Sequence, residues 1–76
     1  MPQPLARVVR MLEERGYVHH SRREYPGRRN TFFYLFSHPN LPWIGVPVVR
    51  EQVAMRHYYR IRDLLQGFGD EPKEEE

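Results

Sequence analysis

The spacing of apolar positions changes character along this chain, and each change marks an element. Leu5, Val8, Val9 and Leu12 recur at i, i+3, i+4 and i+7, one face of an amphipathic helix. Pro2 and Pro4 lead into it, where a first turn tolerates proline. Gly16 stands where a helix closes on a residue with positive φ. The pattern predicts a helix over 5–15. Arg10 and Arg15 lie toward its C-terminus, where the helix dipole favours cations. Glu14, one turn after Arg10, can pair weakly with it.

From Tyr17 to Tyr25 the period becomes two. Tyr17, His19, Ser21, Arg23 and Tyr25 share one face, and Val18, His20, Arg22 and Glu24 the other. Neither face is apolar beyond its first residue, so the strand leaves the core as it runs outward. Pro26-Gly27 is a strong turn signal, and the turn continues through Arg28, Arg29 and Asn30. Thr31 to Ser37 is the strongest strand, rich in aromatic residues. Both its faces are apolar, so it is central or one face meets a partner.

His38-Pro39-Asn40-Leu41-Pro42 makes a second turn. A third strand runs from Trp43 to Val49, with Ile44, Val46 and Val48 on one face. Pro47 has no ladder N–H to give, which puts this strand at an edge or ends it there. Residues 51–66 read as a second helix, striped by Ala54, Tyr58, Ile61 and Leu65, with Phe68 continuing the stripe. Asp63 is within reach of Arg60, and Gly67 and Gly69 are stop signals. Residues 1–69 are thus expected to form one α+β domain of order α-β-β-β-α. The simplest burial of these stripes is a three-stranded antiparallel sheet with both helices on one face. Residues 70–76 are expected to be a disordered acidic tail.

Length and charge sharpen this picture. A chain of 76 residues is one domain, and at this size only about 60% of the unfolded surface is buried. There is no Cys, so neither a disulfide nor a thiolate metal site supplements the core; a second copy or a bound partner is the remaining source. No signal peptide and no apolar run of membrane-spanning length is present, so the expected location is the cytoplasm. Residues 1–69 carry eleven Arg against five acids, +6, and residues 70–76 carry five acids and one Lys, −4, which together give the net +2. A basic body points to an anionic partner.

Several short motifs have a joint likeness. They are Leu12-Glu13-Glu14-Arg15-Gly16-Tyr17-Val18, Phe36-Ser37-His38-Pro39, Val46-Pro47-Val48 and Ile61-Arg62-Asp63-Leu64-Leu65. Spread over residues 5 to 66, this series resembles the HicA toxin family. These are small mRNA-cleaving proteins with a fold like the double-stranded-RNA-binding domain. The resemblance implies RNA as a partner, ribonuclease chemistry and an antitoxin protein that neutralises it. In that family a Gly-Ser-His-like segment enters the central strand, and its His is catalytic. The corresponding positions here are about Asn30, Thr31 and Phe32, with no His. The first hairpin is also longer, by residues that include two Arg pairs.

Four arginines of that hairpin, Arg22, Arg23, Arg28 and Arg29, are the principal candidate site. Guanidinium forks pair bidentately with phosphates, and a hairpin tip can carry them into a groove. Arg56 and Arg60, with Arg50 near them, form a second basic stripe. His20 is the candidate for a displaced catalytic residue, since a neutral imidazole can move a proton in 2′-hydroxyl attack. Adjacent His19 points to the opposite face, so the two cannot act as a pair, and no metal-ligand set exists. Tyr25, Phe33, Trp43 and Tyr59 are candidate stacking aromatics. No cofactor is implied. The sequence therefore favours a non-catalytic RNA-binding domain. The alternatives are an mRNA-cleaving toxin and an interaction or homodimerisation module.

Overall fold

The helical stripe closes as expected: Leu5, Val8 and Leu12 are buried along one side of α1 (Leu5–Glu13). Gly16 follows at φ +89°, the left-handed conformation that a closing glycine supplies. The computed structural model describes residues 1–70. Its remaining elements are β1 (Gln3–Pro4), β2 (Val18–Glu24), β3 (Thr31–Ser37), β4 (Ile44–Val49), β5 (Gln52–Val53) and α2 (Met55–Asp70).

The α+β class holds, but the sheet has five strands, not three. Its order is β1-β5-β4-β3-β2, with every pair antiparallel. The two unexpected strands have two residues each, too few to show a period. They arise from a tight hairpin in which Val49 pairs with Gln52 across Arg50 and Glu51. Both loop residues have positive φ, 52° and 66°, the signature of a type I′ turn. Leu5 N–H donates to Glu51 carbonyl oxygen, which ties the start of α1 to that turn.

The second helix is correspondingly displaced. It begins at Met55 rather than 51, because Val53 is used as a fully buried strand residue. It also passes through Gly67 and Gly69 to Asp70. An interior glycine costs a helix only about 1 kcal/mol relative to alanine. Phe68, packed against the core, offsets that loss. Of the expected tail, Asp70 ends the helix and residues 71–76 lie outside the described residues.

Alternation on β4 divides the sheet into two faces. Ile44, Val46 and Val48 are buried in one cluster with Phe36, Val53, the apolar stripe of α1, and Ile61 and Leu65 of α2. Both helices therefore serve this face. Full burial of each such side chain is worth roughly 1.5–3 kcal/mol. Gly45, Pro47 and Val49 belong to the other face, together with their cross-strand neighbours Leu35, Phe33 and Thr31. The Cα envelope measures 49 × 26 × 16 Å. A thickness of 16 Å admits one helical layer on the sheet, since packed layers lie about 10 Å apart. The second sheet face is open.

His38 fastens the two halves of the chain. Its Nδ1 accepts from the backbone N–H groups of Asn40 and Leu41, at 3.0 and 3.1 Å. That leaves Nε2 as the donor to the Arg15 carbonyl, 3.0 Å away. One ring thus joins the end of α1 to the turn between β3 and β4. Tyr17, buried beside it, donates its hydroxyl to the Pro42 carbonyl. Burial raises the Tyr17 hydroxyl above the ordinary tyrosine range.

Candidate nucleic-acid interface

The basic hairpin is built by a turn and a bulge. Tyr25, Pro26, Gly27 and Arg28 form a β-turn closed by Arg28 N–H on the Tyr25 carbonyl, 3.3 Å. Gly27 lies at φ +76°, which a type II turn requires at that position. At the other end, the β2 register shifts between His19 and Ser21. His20 is the extra residue of this bulge, and it changes which side chains share a face.

That geometry separates the arginines. Arg22 opposes Tyr34 and lies on the helix-bearing side. Its guanidinium sits 4.6 Å from the Phe32 ring centroid and donates to the Tyr34 hydroxyl at 3.3 Å. The hydrogen bond to Tyr34 is the chief reason Arg22 is held above its ordinary range. Arg23 opposes Phe33 and lies on the open face. Arg28 and Arg29 stand exposed in the turn. Among the described residues the one ion pair is Arg62–Asp63, at 3.2 Å. The pairings expected from spacing, Arg10 with Glu14 and Arg60 with Asp63, are not formed. Among the described residues, then, none of the four hairpin arginines is in an ion pair; Glu24 and Glu51 act on Arg22 only through space, and Glu24 shares a surface pocket with Arg28 and Arg29.

The stripe expected on α2 is also divided. Arg60 reaches the Gly45 carbonyl at 3.4 Å, along the part of β4 that has no second strand beside it. Arg56 instead lines an open cavity of about 740 Å³ with Arg28 and Arg50. Arg28 of the hairpin and Arg50 and Arg56 of a separate segment thus line one cavity. Its floor includes Thr31, Pro47 and Val49 of the open sheet face, and His57 stands at its border. Burial first, and then the Arg56 and Arg60 charges, lower the His57 imidazole below its ordinary value.

Away from the cavity the open face is aromatic. Phe33 is 38% exposed and Trp43 is 52% exposed. Phe33 lies directly on Gly45: a Cβ there would overlap the Cζ of its ring. Tyr25 meets Phe33 edge-on at 6.5 Å, and His20 packs against Trp43 at 4.7 Å. Tyr59 is on α2 under the Arg62 guanidinium, 4.8 Å from its ring centroid, and does not join this group.

His20, the candidate catalytic residue, is thus part of an aromatic pair. Among the described residues its side-chain hydrogen bond is to Ser21 Oγ, 3.1 Å. His19 is against Tyr34 and Phe36 on the other face. Among the described residues no carboxylate or second imidazole is arranged around either ring for acid–base exchange. Nor could any cluster of His, Asp or Glu among them hold a metal ion. No described helix is long and apolar enough to cross a membrane.

Two contributors were not apparent from sequence. Gly45 seats Phe33, and an isolated glycine in a strand pattern is the available signal of such close approach. Arg15 joins the helices through Nη1 on the Leu65 carbonyl, 2.6 Å, although its spacing marks only a helix end. Comparison of the chain with family models, with curated proteins and with solved structures finds no match. Nothing in those comparisons ties it to the HicA family.

Proposed function

We propose that this chain is a small RNA-binding domain that takes backbone phosphates on its hairpin arginines and acts in the cytoplasm without cleaving its ligand. The observation carrying this reading is the set Arg23, Arg28 and Arg29, exposed on a projecting hairpin and engaged in no ion pair among the described residues. Arg50 and Arg56 extend the set across the cavity that Arg28 also lines. Such cations displace condensed counterions from a nucleic acid, so affinity falls steeply with salt. The separation of His19 from His20, and the aromatic packing of His20, favour binding over cleavage.

The test is RNA binding over a salt series with Arg28→Glu/Arg29→Glu. Both side chains are exposed in the turn, so the variant keeps the fold. Affinity should drop, and the slope of log K against log salt should fall by roughly one for each phosphate no longer held. An unchanged affinity and slope would refute the proposal.

A further inference from the structure

We infer that the open sheet face is a stacking platform for single-stranded nucleic acid, with Phe33 and Trp43 as the base-contacting residues. The inference rests on the RNA-binding reading and specifies its ligand. Duplex RNA hides its base faces, whereas splayed single strands offer them to aromatic side chains. Phe33 takes the space left by the missing side chain of Gly45 and remains partly exposed, so part of its ring is open to a ligand. Trp43 lies two residues before that seat, exposed at the start of β4, and continued alternation from Gly45 puts it on the same face. Strand rise puts the two positions roughly 7 Å apart. Stacked nucleotides advance only about 3.4 Å per strand, so bases held here would be unstacked from each other and each would rest on a ring.

Charge complementarity selects this occupant over an apolar one. Arg23 flanks Phe33 on the same face, as its cross-strand neighbour. Past Pro47, also paired with Phe33, the floor continues into the cavity bordered by Arg28, Arg50 and Arg56. A strand whose bases lie on Trp43 and Phe33 would run its phosphates past Arg23 into that basic end. Arg22, on the opposite face and engaged with Phe32 and Tyr34, takes no part in this path.

Trp43 is the only tryptophan, so its fluorescence reports the platform directly. The intact chain is titrated at low salt with a single-stranded oligouridylate and, separately, with a blunt RNA duplex of the same length. The single strand should bind more tightly and quench Trp43. Phe33→Leu and Trp43→Leu should each weaken single-strand binding about tenfold without changing the salt slope. Equal or tighter duplex binding with unquenched Trp43 would overturn the inference while leaving RNA binding intact. Binding of neither probe would overturn both readings. Sedimentation showing a stable dimer whose Trp43 is shielded before any RNA is added would assign the face to a second copy and overturn the platform.

Discussion

The packing of Phe33 on Gly45 turns on a single missing methyl group. A Cβ at position 45 cannot coexist with the present ring position, since it would overlap Cζ. Phe33 is partly exposed, however, so its ring has room to swing off the sheet. Gly45→Ala should therefore cost little net stability, because alanine regains roughly 0.5–1 kcal/mol of strand entropy against the poorer ring packing. The informative quantity is the coupling. In a double-mutant cycle by denaturant unfolding, Gly45→Ala and Phe33→Leu should be non-additive by about 1 kcal/mol. Additivity would mean that the ring does not depend on its glycine seat. The same variant should weaken single-strand binding, since a ring tilted off the sheet no longer offers a flat face.

At the scale of elements, the Arg50–Glu51 turn is the clearest conflict between local preference and observed structure. A type I′ turn favours Asn-Gly because both central residues need positive φ. Arg50 and Glu51 adopt it with ordinary side chains, at a cost of roughly 1–2 kcal/mol each. Arg50 also borders the basic cavity, so the strained position is one that sets a guanidinium beside Arg28 and Arg56. Arg50→Asn/Glu51→Gly should raise stability by about 1–2 kcal/mol, read as a higher denaturant midpoint, and weaken RNA binding at low salt. A variant that is no more stable would remove the strain argument. This turn also explains what the sequence concealed. Both main helices and β4 are legible because their apolar periods run over six or more residues, β3 as an unbroken aromatic run, and β2 from the Gly16 and Pro26-Gly27 signals that bound it rather than from an apolar face. Strands β1 and β5 have no period to read, and Arg-Glu is not a recognisable turn dipeptide, so the helical reading starts at Glu51 and takes in Gln52 and Val53. The Arg pairs were visible in the chain. Their division by the pleat, and the meeting of Arg28, Arg50 and Arg56, depend on cross-strand register between distant segments.

Across the whole molecule, charge is segregated more strongly than the net +2 implies. Residues 71–76 contain four acids and one Lys, −3, so residues 1–70 alone carry +5. The fold divides that positive body into a helix-bearing side, where Arg22 and Arg62 lie over aromatic rings, and an open side leading to the basic cavity. An incoming polyanion feels the summed field before it makes contacts, and the acidic terminal residues reduce that field. A chain ending at Asp70 should therefore bind an oligouridylate more tightly at low salt, by about 3-fold or more, chiefly through faster association. The gain should fade as salt rises, because the screening length shrinks from about 30 Å at 0.01 M to about 8 Å at 0.15 M. Stopped-flow association across that range separates the possibilities. A gain that persists at high salt would mean that residues 71–76 occupy the binding face by specific contacts. No gain at any salt would mean that their charge lies too far from the ligand path to matter.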